Sequence, residues 1–520
     1  ILSLVLILGL FFRVVNLEEK PYWDMDEAFT LIRASGYTVG EVDQTLSPGK
    51  IVSVSDFQTY LQPSTEKSAM GTIRALVTET PQHPPLYFLL TRFWQQQFGT
   101  SKAILRTLPV WFSLLTFPAI YWLCWELFGL PLVGWLAMAL YGVSPIMLVY
   151  SQFLRPYSLF LLLSLLSSAI LLRSLRYPTM LGWSLYTITM IVGLYTQLLT
   201  GLVAIAHGIY VLLREQCRPT AILKQFLFSA IAMTAIISPW LVMLWQNRQT
   251  LQQTLEWATN DSPLIRLANQ WISNLNQGFV AWHFQYEAIF VYTIIPLLAL
   301  IVYSFYFLCR RTPWRVWSFV LILLGISFLP FLLADLSLGG VRSINARYFV
   351  ICYVGMDIVI AYCLVSHSFP KRPQFGSSRL WSVATVSLLV ASTISSGVGA
   401  LGDTWWGVSE YETPLVEMVS SSDRPLFVKE CLMNFCSSIH GKVYYPMILH
   451  RDTHLLFIED ASSFSFPEEF ATLYIYNPSD AFLSELDRQS LPYELAYQFQ
   501  DSTTGFGFSV YRVALTKPQL

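Results

Sequence analysis

The sequence predicts an α-helical polytopic membrane protein of about 11 transmembrane helices, followed by a soluble α/β or α+β domain. Three observations carry this. Of 520 residues, 54% are hydrophobic and only 12% are charged, with a mean hydropathy of +0.49. Apolar runs long enough to cross a bilayer as helix recur through residues 1–401. The charge is also split by position. Residues 1–401 hold 25 Lys/Arg against 17 Asp/Glu, and residues 402–520 hold 7 against 16, so a net of −1 conceals a body of +8 and a tail of −9. So few charges cannot cover the surface of a soluble chain of this length. A soluble multidomain enzyme, a disordered chain and a nucleic-acid binder are excluded.

The expected spans lie near 1–15, 104–128, 132–150, 157–173, 180–198, 199–213, 223–245, 288–308, 316–335, 347–366 and 380–401. The first is short and starts at Ile1 in place of Met, so a few residues are expected to precede it. A cleaved signal peptide is disfavoured, because no small-residue cleavage site comes before Glu18, Glu19 and Lys20. Sidedness follows from basic residues in short loops. Arg173/Arg176, Arg214/Arg218/Lys224, Arg310/Arg311/Arg315 and Lys371/Arg372/Arg379 make four basic loops, expected in the cytoplasm. The alternate loops hold Arg155, Arg248, Arg266, Arg342 and Arg347. Residues 84–98 are apolar at first but short, with Arg92 and three Gln. Counting them as a span breaks the alternation of basic loops, so they are expected to form a helix at the outer membrane surface.

The domain division that results is a transmembrane domain over 1–401, with outer loops at 16–102 and 246–287, and an extracytoplasmic domain over 402–520. In the tail, PLFVKE, KVYYP, HLLFIED, TLYIYN and FGFSVYRV read as strands, and SDAFLSELDRQ as helix. Of seven Cys, only Cys431 and Cys436 are expected outside, where a disulfide between them is permitted. No zinc spacing, phosphate-binding loop or inverted repeat is present.

Ionisable residues are scarce, so the clusters stand out. PYWDMDEAFT places Asp24, Asp26 and Glu27 shortly after the first span. Such carboxylates bind a metal, orient hydroxyls or act as a general base; an acidic turn with Asp26 capping a helix is the bland alternative. ETPQHPPLYFLL closes the loop with Glu79 and His83, the latter held extended by the following proline. A loop histidine without a task is the alternative. Arg106, Arg155, Arg342 and Arg347 recur at outer membrane ends, with Tyr157 and Tyr348 beside them. A guanidinium offers phosphate a rigid fork of donors, and snorkelling to lipid headgroups is the alternative. Within spans, His207 and Asp357 are expected either to function or to bind one another or a near neighbour.

Together these stretches resemble the GT-C glycosyltransferases, in particular the family 39-like group that includes protein O-mannosyltransferases and aminoarabinose transferases. PYWDMDEAFT resembles the Asp-Glu motif of their first outer loop, and HPPLYFLL the segment that closes it. SKAILRTLPVWFSLL resembles the start of their second span. SQFLRPYSLFLLLSLLSSAILL resembles a later span, with Leu154 where Ala is usual, and NARYFV a late Arg-Tyr motif. The resemblance covers roughly residues 1–370, and the tail matches nothing.

The resemblance implies an integral membrane glycosyltransferase, probed by three partners: a polyprenyl-phosphate sugar donor, an acceptor hydroxyl on lipid, glycan or protein, and the bilayer. It implies an active site on the extracytoplasmic face of a bacterial inner membrane, in the service of the cell envelope. Carried over by motif, Asp26 is the base and Glu27 its neighbour. Asp24, Glu79, His83, Arg106, Arg155, Tyr157, Arg342, Arg347 and Tyr348 are expected to bind substrate or its phosphate. No obligatory metal is expected; a divalent ion at Asp24, Asp26 and Glu27 is the alternative. The rival functions are a flippase for lipid-linked saccharides, which needs no outer base, and a scaffold whose tail binds a partner.

Overall fold

The computed structural model describes residues 2–20, 25–47, 49–281, 287–369, 377–406, 413–430, 448–459, 465, 467, 469–500 and 507–514. Asp24, Cys431, Cys436 and the stretch KVYYP lie outside the described residues. The other five cysteines are free thiols. The chain forms two compact units.

The first unit comprises Ile1–Lys20, Leu76–Leu90 and Ser101–Trp406. Among the described residues, seven helices are long and apolar enough to cross a membrane: Lys102–Phe128, Tyr157–Arg176, Ala221–Gln246, Tyr292–Arg311, Trp314–Leu338, Ala346–Ser368 and Ser378–Leu401. Apolar sequence adopts helix in lipid because each backbone N–H and C=O must find its partner within the segment. Three shorter apolar helices, Leu2–Val14, Met180–Thr196 and Thr200–Arg214, cover the remaining expected spans but one. Burial ranks the helices. The apolar window of Tyr157–Arg176 is 83% buried against 22% in Ala221–Gln246, so the former is central and the latter presents Phe228 and Ile231 outward. A chain with so many outward apolar side chains is an integral membrane protein.

The expected span at 132–150 is two helices, Pro131–Gly142 and Pro145–Gln152, bent by 69°. Pro145 lacks an N–H and opens the second helix, while the preceding residue is driven out of helical geometry. The break frees carbonyls, and Arg13 takes them. Its fully buried guanidinium donates to the carbonyls of Tyr141 (2.9 Å), Gly142 (2.7 Å) and Gly9 (2.8 Å), and to Ser113 Oγ (2.9 Å). Gly9 must be glycine, since a Cβ there would lie 2.7 Å from the Gly142 carbonyl oxygen. From the far end of the bent pair, Gln152 Nε2 donates to the carbonyls of Phe12 and Arg13.

Both intramembrane groups are buried. His207 bridges Ser168 Oγ (3.1 Å) and the Tyr186 hydroxyl (3.2 Å), which joins three helices. It does not pair with Asp357, whose Oδ2 has no partner among the described residues. At the basic ends, buried Glu126 pairs with Arg173 (3.3 Å) and Arg176 (3.1 Å).

The second unit comprises Pro21–Ala75, Thr91–Thr100 and Gly407–Leu520. Among the described residues its sheet has six strands, β1 (Ile51–Ser53), β2 (Leu426–Glu430), β3 (His454–Ile458), β4 (Thr472–Tyr476), β5 (Tyr493–Gln500) and β6 (Gly507–Ala514), in the order β1-β3-β2-β4-β6-β5. The central three are parallel and the outer pairings antiparallel. Parallel strands need cover on both faces. Leu426, Val428 and Leu456 pack on one side with Phe482 and Leu486 of the helix Asp480–Arg488. Phe427, Leu455, Phe457 and Tyr474 pack on the other with first-loop residues Ala28, Phe29, Ile32 and Val42. The sheet thus belongs jointly to the tail and to the segment that follows the first apolar helix. Strand β1 pairs Val52 with Leu455.

Candidate active site

The second unit holds Asp26 and Glu27. The helix Asp26–Ala34 starts at Asp26 itself; its N-cap is Met25, which makes no side-chain cap, so Asp26 is not the capping residue. Asp26 and Glu27 occupy the first turn, where the helix dipole favours negative charge. Asp26 is half-buried, whereas Glu27 is fully enclosed. Ala28, Phe29 and Ile32 seat the same helix in the hydrophobic core under the sheet. Its C-terminal carbonyls are taken by Arg92, which donates to Ala34 O (3.2 Å) and Ser35 O (2.9 Å), and by Thr72 Oγ1, which donates to Ala34 O (2.9 Å). Arg92 comes from the expected surface segment, which is the helix Leu86–Phe98.

The first unit holds the cations. Pro81 O accepts from Trp240 Nε1 (3.1 Å) and Glu79 O from Thr254 (3.2 Å), which fixes the segment ahead of His83. The His83 Nε2 lies 3.3 Å from the Arg155 guanidinium, itself nearly fully buried. Arg155 follows the bent helix pair and precedes Tyr157, whose ring stacks on Phe153 and meets Tyr150 edge-on. Tyr150 in turn interacts electrostatically with Arg347, Tyr157 and Tyr348. Arg347 and Tyr348 stand on a short 3-10 turn, Ala346–Phe349, with Arg347 over the Trp257 ring and Tyr348 stacked on Phe331. Tyr150 was not singled out by sequence; its only signal is its place five residues before Arg155.

The other two arginines hold backbone. Arg106 donates to Leu17 O and Lys20 O, each at 3.0 Å. Arg342 pairs with buried Asp335 (3.0 Å), which also accepts the Ser343 N–H (2.6 Å). Lys20, which no motif marks, reaches the carbonyls of Gly399, Gly402 and Thr404 and lies over the Trp405 ring. Burial pulls its ammonium down to about 8, against the raising influence of Asp403. Lys20 and Arg106 together tie the segment after the helix Leu2–Val14 to the end of the helix Ser378–Leu401 and the start of Lys102–Phe128.

Below the Arg347 turn is an apolar cavity of about 340 Å³, walled by Phe305, Leu324, Phe328, Phe349, Tyr353 and Met356. No three His, Cys, Asp or Glu side chains gather as a metal group among the described residues.

A polytopic helical body, a broken span leading to a buried arginine and a mixed-sheet unit define an integral membrane protein that also carries a sheet-based unit. No family model matches the chain, and no curated protein matches it. Among solved structures, ArnT from Cupriavidus metallidurans in the apo state is similar with a TM-score of 0.52 at 12% identity, over 98% of this chain and 97% of that one. ArnT from the same organism bound to undecaprenyl phosphate gives 0.50 at 11% identity, over 99% of each chain. The likeness is one of fold.

Proposed function

We propose that the chain is a glycosyltransferase of the extracytoplasmic membrane face, in a bacterial inner membrane. It moves a sugar from a polyprenyl-phosphate donor to an acceptor hydroxyl of a lipid, glycan or protein. The observation that carries the reading is the 340 Å³ apolar cavity whose wall includes Phe349, two residues from Arg347. A lipid phosphate needs an apolar slot for isoprene units and a cation for its phosphate, and Arg347 is close in sequence to the cavity wall. The similar ArnT structure bound to undecaprenyl phosphate supports this donor class.

In this reading the acceptor oxygen attacks the anomeric carbon opposite the phosphate. A carbon–oxygen bond to the acceptor forms as the bond to phosphate breaks, and configuration inverts. Asp26 takes the acceptor's proton, and Glu27 steadies the turn. The phosphate leaves with an added negative charge. Arg155 and Arg347 stabilise it with preorganised donors, assisted by His83, Tyr157 and Tyr348. Arg106 and Arg342 act indirectly, by holding the loops that precede and carry these groups. No step passes through a metal.

The test presents purified protein with a panel of polyprenyl-phosphate sugars and measures free polyprenyl phosphate. Release with one donor supports transfer. Transbilayer movement of the lipid without release would replace this reading with the flippase.

A further inference from the structure

The second unit contains a polar pocket that no step of transfer uses. Its volume is about 370 Å³, within the range of small-ligand sites. It opens where β1 ends and where β2 and β3 begin. Of twelve lining residues, four are Ser, two Asp, two Arg, two His and one Thr; Pro425 alone lacks a polar side chain. Thr453 is 1% exposed, yet its hydroxyl has no hydrogen-bond partner among the described residues. The His454 Nδ1 is likewise buried and unpartnered. Native proteins rarely leave such groups unsatisfied, and a bound ligand is one way to complete them. Arg424, on the rim, holds a φ of +42°, a backbone region that side chains other than glycine seldom adopt.

The lining chooses the ligand. Asp423 and Asp452 offset Arg424 and Arg451, so the pocket has no excess charge to draw an anion or a cation. It offers no broad aromatic face for a nucleobase. A row of carboxylates and guanidiniums with hydroxyls between them suits groups that donate and accept at once. Sugar hydroxyls do so. We propose that this pocket binds a neutral saccharide ring. The site goes beyond the transferase reading, and none of its residues carries a role in transfer.

The experiment uses the full chain in detergent micelles without any lipid donor. A panel of neutral mono- and oligosaccharides is titrated by calorimetry, with sulfate and inorganic phosphate as the anion arms. The comparison proteins are the double variant Asp423→Ala/Arg451→Ala and the single variant Thr453→Val. Asp423 and Arg451 are exposed, so the fold tolerates their loss. Thr453→Val retains shape and removes only an unpaired hydroxyl, so its melting temperature should hold. At least one saccharide is expected to bind the wild type at 1:1, about tenfold or more weaker in the double variant, as the loss of charge-assisted hydrogen bonds implies. Thr453→Val should weaken the same saccharide. The proposal is overturned if no saccharide binds, if the double variant binds equally well, or if sulfate or phosphate binds more tightly than every sugar. With no donor present, failure of the transfer assay leaves this test intact, and the converse also holds.

Discussion

The Arg155 guanidinium lies 3.3 Å from the His83 Nε2, across 72 residues of sequence. The pair joins the segment ahead of the helix Leu86–Phe98 to the segment that follows the broken span. A histidine beside a buried arginine fixes the direction of the guanidinium fork, and the fork is what a phosphate needs. Arg155→Lys keeps the charge and loses the fork. We expect kcat with a polyprenyl-phosphate donor to fall about 10²-fold, the scale of losing one oxyanion donor, with the melting temperature unchanged. Wild-type kcat in Arg155→Lys would remove Arg155 from the phosphate site.

Asp26 and Glu27 are adjacent and differ in burial, so their variants should separate. Asp26 is half-buried at the first turn of its helix, and Asp26→Asn should lower kcat by about 10²–10⁴-fold, the usual worth of a general base. Expression and melting temperature should persist. Glu27 is fully enclosed. Glu27→Gln should lower the melting temperature first, and activity only with it. A single-turnover assay beside a thermal melt distinguishes the two patterns, and an active Asp26→Asn enzyme would sink its assignment as base.

How much of this was legible depends on range. The spans could be read because crossing a bilayer demands length and apolarity, which are local. The break at Ser144-Pro145 leaves hydropathy intact, so hydropathy alone predicts one span there. The buried strands β2, β3 and β4 stood out as apolar runs. Strand β5 did not, because YELAYQFQ lies half-exposed at the sheet edge, and β1 is three residues long in another part of the chain. The arginines show the same limit. Arg106 and Arg155 look alike in sequence, and only their partners, Leu17 and Lys20 carbonyls in one case and His83 in the other, set their tasks apart.

Arg13 supplies a structural contrast to Arg155. Its donors satisfy the Tyr141 and Gly142 carbonyls at the 69° break. Arg13→Met should leave the Gly142 carbonyl unpaired, at about 1–3 kcal/mol, and the Tyr141 carbonyl with only the long hydrogen bond from the Ser144 N–H (3.4 Å). Thermal stability in detergent and kcat should therefore fall together. A loss of activity at unchanged melting temperature would instead place Arg13 in the chemistry.

Acid should loosen the sheet unit through Glu485. Hydrogen bonds from Arg488 (2.6 and 2.8 Å) and Gln489 (2.5 Å) hold its carboxyl down to about 2. A depressed folded value means the unfolded chain takes up the proton first as pH falls. The contribution is complete above the ordinary carboxyl range near 4.5 and is lost as pH drops toward 2. The difference in melting temperature between wild type and Glu485→Gln should shrink across that window, and high salt should reduce it because Arg488 is exposed. A difference that stays constant from pH 6 to 3 would show that the pair does not contribute.

The tail's bearing on the site can be tested from the inside of its core. Ile32 is fully buried on the helix that begins at Asp26, among Leu415, Phe427 and Leu455 of the tail. Ile32→Ala removes three carbons that touch no substrate and should cost about 2–5 kcal/mol. A helix less firmly seated holds Asp26 in the reactive geometry for a smaller share of the time, and small misplacements of a reacting group are costly in rate. We expect Ile32→Ala to lower kcat below its melting temperature, while KM for the lipid donor stays near wild type. Asp26→Asn in the same background should then add little, because both act on one group. Full activity in a demonstrably destabilised Ile32→Ala protein would show that the tail's core does not position Asp26.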